Sequence, residues 1–120
     1  MKVIGVLYSP EFGRAIKPLS KKYYTIKDSL KQLENNLIDN PYLGDSYGDN
    51  IYKVRLSDPS KKTGKSGGFR VFYYHLMIDA EKQEINILFL TIINKSEEAT
   101  IKKGVISKLK DSILSKNKGT

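Results

Sequence analysis

Three segments between residues 51 and 94 carry the period-two patterning and the β-branched and aromatic side chains of strands, so the chain is constrained to fold around a sheet. The first, residues 51–57, reads Ile-Tyr-Lys-Val-Arg-Leu-Ser. The second covers residues 69–78 and the third residues 84–94. Residues 79–83 make a short turn between the last two. Residues 58–68, Asp-Pro-Ser-Lys-Lys-Thr-Gly-Lys-Ser-Gly-Gly, make a longer basic loop between the first two. Residues 85–93 are apolar on both faces, which predicts an interior strand.

The remaining chain supplies cover. Residues 2–8 read as a further strand, apolar on both faces and so expected inside the sheet. Ser9, Pro10 and Glu11 suit the start of a helix, and Phe12, Ala15, Ile16 and Leu19 give it one apolar stripe. A second helix is predicted over residues 25–40, with Thr25 and Asp28 as a capping box and Ile26, Leu30, Leu33 and Leu37 as its core face. Residues 42–50 read as turn. A last helix is expected from Ser96, with Glu97 and Glu98 in its first turn, Ile101, Val105, Leu109 and Ile113 as its stripe, and a frayed tail over residues 115–120. The predicted order is β-α-α-β-β-β-α: a single α+β domain spanning residues 1–120, with a small, mainly antiparallel four-stranded sheet and helices packed on it.

Charge narrows the function. Twenty-one Lys and Arg against thirteen Asp and Glu give a net charge of +8 in 120 residues, which favours a polyanionic partner, nucleic acid first. Residues 51–75 hold six cations (Lys53, Arg55, Lys61, Lys62, Lys65 and Arg70) and one acid, Asp58. There is no cysteine and only one histidine, His75. Thiolate chemistry and a histidine metal pair are therefore excluded, and His75, in an aromatic strand, reads as a packed residue. No secretory signal or membrane-length apolar run is visible, so a soluble, cytoplasmic protein is expected. Gly64-Lys65-Ser66 falls short of a P-loop, because the first glycine is missing and a strand follows.

Strand alternation places Lys53 and Arg55 on one face, with Tyr52, Val54 and Leu56 on the other. Arg70 begins the next strand beside the basic loop, whose glycines would let backbone N–H groups approach an anion. Such a set can in principle cleave RNA without a metal. The 2′-OH is the substrate's own nucleophile, an arginine can steady the pentavalent phosphate, and a lysine among cations can move a proton. That reading requires the cations to converge on an open surface, with the Arg70 guanidinium uncovered.

Tyr52-Lys53-Val54-Arg55-Leu56, then Lys65-Ser66-Gly67-Gly68-Phe69-Arg70-Val71-Phe72-Tyr73, then Asn94-Lys95-Ser96-Glu97, in that order, resemble the RelE/ParE toxin superfamily, and most of all its RelE/HigB-like mRNA interferase branch. The resemblance covers residues 10–105. It implies a bacterial type II toxin: an endoribonuclease that cuts mRNA in the ribosomal A site by metal-independent 2′-OH attack, needs no cofactor, and is neutralised by a cognate antitoxin, often of helix-turn-helix type. By position it implies that Lys53 and Arg55 hold RNA phosphate, that Arg70 stabilises the transition state, and that Lys95 is a basic position at the end of the last strand. Beside these, Lys65 and Lys95 are read as catalytic, for proton transfer or phosphate binding, and Lys61, Lys62, Ser66 and Tyr73 as RNA-binding. The family's stacking tyrosine in the last helix has no counterpart at Ala99-Thr100-Ile101; Tyr73, His75 and Tyr47 are the substitutes at hand. A gyrase-poisoning toxin of the same superfamily and a non-catalytic RNA-binding module are the alternatives.

Overall fold

The computed structural model describes residues 1–60 and 68–118. Five strands and three α-helices follow in the order β1 (Lys2–Tyr8), α1 (Pro10–Lys22), α2 (Ile26–Asp39), β2 (Asp45–Gly48), β3 (Ile51–Leu56), β4 (Phe69–Asp79), β5 (Glu84–Asn94), a 3-10 turn (Lys95–Thr100) and α3 (Lys103–Lys118). The strands form one sheet in the order β1-β5-β4-β3-β2. β1 runs parallel to β5, and the other neighbours are antiparallel. The fold class is α+β, but the sheet is mixed and has five strands where the sequence predicts four.

The additional strand, β2, lies in the stretch read as turn. Gly48 pairs with Ile51 across Asp49 and Asn50, whose φ angles are 56° and 60°. Two consecutive positive φ values make a tight hairpin turn whose twist matches the strands it joins. β1 is also displaced from expectation: it forms an edge, not an interior strand. Its pairing slips between Val3 and Gly5, and Ile4, Leu7 and Tyr8 stay exposed.

The sheet is covered on both sides. On one, Phe12 of α1 and Ile26, Leu30, Leu33 and Leu37 of α2 pack on Val54, Leu56, Val71, Tyr73, Ile87 and Phe89. On the other, Ile106 and Ile113 of α3 meet Ile51, Phe72, Leu88 and Leu90. Each fully buried aliphatic or aromatic side chain contributes about 1.5–3 kcal/mol, so these two layers hold the fold. The predicted α3 stripe is corrected: Ile106 and Ile113 are buried, whereas Val105 is exposed. α3 also begins later, after the separate 3-10 turn, and continues to Lys118 where a frayed tail was predicted from Ser115.

α1 starts as its sequence dictates, with Ser9 Oγ accepting from the Phe12 N–H at 2.9 Å. α2 does not. Thr25 makes no cap with its own helix. Its hydroxyl donates instead to Asp58 Oδ1 at 2.8 Å, joined there by Ser29 Oγ at 2.7 Å, while Ser60 Oγ donates to Oδ2. Asp58 is buried, and its three hydroxyl donors tie the start of α2 to the chain leaving β3. Burial alone would raise its pKa, but the bonds from Ser60, Ser29 and Thr25 outweigh that and hold it below the ordinary 3.8.

A folded-state value below the unfolded one stabilises the fold above the unfolded pKa, and that contribution is lost as pH falls through the lower, folded value. Asp58→Ala should therefore cost about 2–3 kcal/mol at neutral pH. The gap to wild type should narrow in acid, below the ordinary carboxylate range. Urea melts at pH 7 and pH 3 check this; a pH-independent gap would deny the carboxylate its role.

Candidate nucleic-acid interface

β3 and β4 lie in a register that sets Arg55 opposite Arg70 and Lys53 opposite Phe72. Val54 and Leu56 are buried on the α2 side, so Lys53 and Arg55 share the other face with Arg70, as alternation requires. Two arginines directly opposite each other repel. The conflict is relieved unequally. Arg55 is exposed, while Arg70 is 6% exposed and ion-paired.

Its partner is Glu98, a residue the sequence reading treated only as a helix-start acid. Arg70 Nε meets Glu98 Oε1 at 3.1 Å, and Lys53 Nζ meets Oε2 at 2.7 Å. Arg70 Nη1 donates to the Phe69 carbonyl at 3.1 Å. The hydrogen bond from Lys53, reinforced by Arg70, holds the Glu98 carboxyl below its usual range against the opposing effect of burial. Glu98 reaches this position because the 3-10 turn folds back over the start of β4. Asn94 N–H donates to Glu97 Oε1 at 3.0 Å, and Lys95 N–H donates to the Gly68 carbonyl at 3.2 Å.

A cleft of about 520 Å³ opens here, lined by Gly44, Asp45, Lys53, Arg55, Arg70 and Glu98 among others. It exists because β2 stops early. Asp45 pairs with Lys53, and among the described residues no strand neighbours the outer edge of β3 beyond Lys53. The expectation of an uncovered guanidinium is thus corrected. Arg70 lines the cleft, but a carboxylate sits across it, shared with Lys53.

Other predicted residues separate. Lys61, Lys62, Lys65 and Ser66 lie outside the described residues. Lys95 is exposed and is not part of the cleft lining. Tyr73, expected to touch RNA, is 0% exposed. Its hydroxyl donates to the Pro41 carbonyl at 2.9 Å and accepts from Gly44 N–H at 3.0 Å. It stands three residues from Arg70, and so on the opposite face of β4. Tyr73 anchors the segment before β2 and does not face the cleft.

His75 is packed, as read. Burial lowers its pKa, its Nε2 lies 2.7 Å from the Pro41 carbonyl, and its ring stacks on Tyr52 at 4.4 Å. Neutral at pH 7, it donates to that carbonyl. Tyr47 alone of the three substitute aromatics lies beside the cations, with the Lys53 ammonium 5.6 Å and that of Lys103 5.4 Å from its ring. Gly68 has a different duty from the one read in sequence. A Cβ there would lie 2.6 Å from the Leu56 carbonyl oxygen, so the residue permits a close backbone crossing.

Among the described residues no group of three His, Asp or Glu side chains could hold a metal ion, and no helix is long and apolar enough to cross a membrane. No family model matches the sequence, and no curated protein matches it. Among solved structures the chain is similar to a mutant of the E. coli toxin RelE in the free state, at 18% identity over 92% of this chain and 94% of that one, with a TM-score of 0.49. That likeness is too distant to carry a functional argument.

Proposed function

We propose that this protein is a type II toxin that cleaves mRNA in the ribosomal A site. The observation that carries the reading is one cleft in which Lys53, Arg55 and Arg70 line a common sheet face, at the positions where the sequence resembles mRNA interferases. In the proposed reaction the 2′-OH attacks the adjacent phosphorus, its proton goes to a base, and the 5′-oxygen leaves with a proton. The products are a 2′,3′-cyclic phosphate and a free 5′-OH. Arg70 stabilises the charge gathering on the phosphoryl oxygens. Lys53 and Arg55 hold the strand, extended by Lys61, Lys62 and Ser66; Lys65 serves proton transfer or phosphate contact, and Lys95, outside the cleft lining, contacts phosphate beyond it. A helix-turn-helix antitoxin, the ribosome and mRNA are the partners, in the cytoplasm, and no cofactor takes part.

Glu98 occupies the place an incoming phosphate needs, with its two oxygens on Lys53 and Arg70. Substrate must displace this carboxylate or share its donors. Glu98→Gln keeps an acceptor oxygen and removes the competing charge. It should tighten binding of a single-stranded RNA oligonucleotide roughly fivefold at low salt, with the advantage fading at high salt. Fluorescence anisotropy measures it, and unchanged or weaker binding would mean that the carboxylate does not compete with RNA.

The reading itself is tested by inducing the protein in growing bacteria and mapping mRNA 5′ ends. In-frame cuts inside coding regions, bearing 5′-OH termini, are expected. DNA damage without mRNA cuts would assign a gyrase poison instead, and salt-sensitive RNA binding without cuts a binding module.

A further inference from the structure

A second cleft, also of about 520 Å³, lies between α2 and the end of β3. Arg55 is exposed and lines both clefts, which makes it the residue they share, and among the described residues none pairs with its guanidinium. Both clefts include residues of β3 beyond Lys53, where among the described residues β2 does not pair. Leu33 and Leu56 are buried in the second cleft and form an apolar floor. Gln32 and Asn36, four residues apart on α2, are exposed and share its rim. The one carboxylate in the lining, Asp58, is already engaged by Thr25, Ser29 and Ser60, so the carboxamides, with the exposed Ser57 hydroxyl, are available to a ligand.

We propose that this second cleft is a nucleobase subsite, which takes the base of a nucleotide flanking the scissile phosphate. The inference rests on the RNA-cleaving reading above. An apolar floor accepts the flat face of a base, and each carboxamide offers two donors and an acceptor for its edge. A single-stranded substrate whose phosphate lies in the first cleft must pass Arg55 to place its next base in the second. Arg55 holds the linking phosphate, while Gln32 and Asn36 choose the base. The backbone contacts position the strand and the carboxamides specify it, a division common in nucleic-acid recognition.

The test compares wild type with the double variant Gln32→Ala/Asn36→Ala, both positions being exposed on a helix that tolerates alanine. Mapped 5′ ends give the base frequencies beside each cut. Wild type should prefer a base at one flanking position, and the double variant should lose that preference by roughly fivefold or more while still cutting RNA. A wild type without preference, or a variant whose preference is unchanged, overturns the subsite and leaves the nuclease reading standing.

If wild type makes no cuts, the nuclease reading fails, and a titration judges the cleft separately. The four ribonucleoside 5′-monophosphates are added to ¹⁵N-labelled protein, and the side-chain amide signals of Gln32 and Asn36 are followed. Movement with at least one nucleotide supports the site, and stillness with all four overturns it.

Discussion

Arg70→Ala is expected to lower mRNA cleavage roughly 10²- to 10³-fold, the range seen when one preorganised oxyanion donor is removed. The guanidinium lines the cleft and is fixed from two sides, by Glu98 and by the Phe69 carbonyl. A donor so held loses little entropy when charge develops beside it. Stability should fall much less. Glu98 keeps Lys53 at 2.7 Å and has a quarter-exposed side chain, so the truncation strands no buried charge, and the loss is that of one hydrogen-bonded side chain, about 1–2 kcal/mol. Arg70→Lys should recover only part of the activity, because an ammonium cannot replace the planar fork. Cleavage in a translating extract, with thermal melts alongside, separates the two effects. Undiminished cleavage by folded Arg70→Ala removes the residue from the mechanism.

The residues that face the cleft show what alternation can and cannot reveal. Lys53 and Arg55 were placed together by spacing alone, and the buried Val54 and Leu56 between and beside them are the reason they stay together. The same rule, applied to β4, separates Tyr73 from Arg70, since an odd spacing changes faces. The reading of Tyr73 as an RNA contact passes over that rule, and the structure follows the spacing. Glu98 was not legible as a site residue. Its arrival depends on the chain turning back after β5 through a 3-10 turn whose start is held by backbone contacts with Gly68 and by Glu97, and no periodicity encodes that return.

The fold divides along similar lines. β3, β4 and β5 were legible because they are long and carry strong patterns. β2 has only four residues, Asp-Ser-Tyr-Gly, with no repeating apolar face; Asp49-Asn50 was the available signal, a pair that tolerates the left-handed conformation a tight hairpin needs. β1 misled because apolar residues on both faces suggested two covered sides. Its slip at Ile4 changes the phase of the strand, so that part of its apolar surface faces outward at the sheet edge. The capping box read at Thr25 failed for a tertiary reason: the buried carboxylate of Asp58 recruits that hydroxyl.

Gly68→Ala should be among the most damaging single substitutions in the chain, although it adds one methyl group. Gly68 has φ +84°, and an added Cβ would stand 2.6 Å from the Leu56 carbonyl oxygen, a backbone atom that cannot rotate away. Left-handed strain costs an alanine about 1–2 kcal/mol and overpacking about 1–3 kcal/mol, so roughly 2–5 kcal/mol is expected in all. Gly48→Ala is the control, because φ is again +84° but nothing lies within 4 Å of the new atom. It should show the strain alone, about 1–2 kcal/mol. Activity should fall with stability only at Gly68, since that residue leads into Phe69 and Arg70 and its carbonyl receives the Lys95 N–H that starts the turn bearing Glu98. Urea unfolding of both variants beside wild type decides the matter: equal losses at the two glycines would show that the close crossing over Leu56 does not hold the cleft in shape.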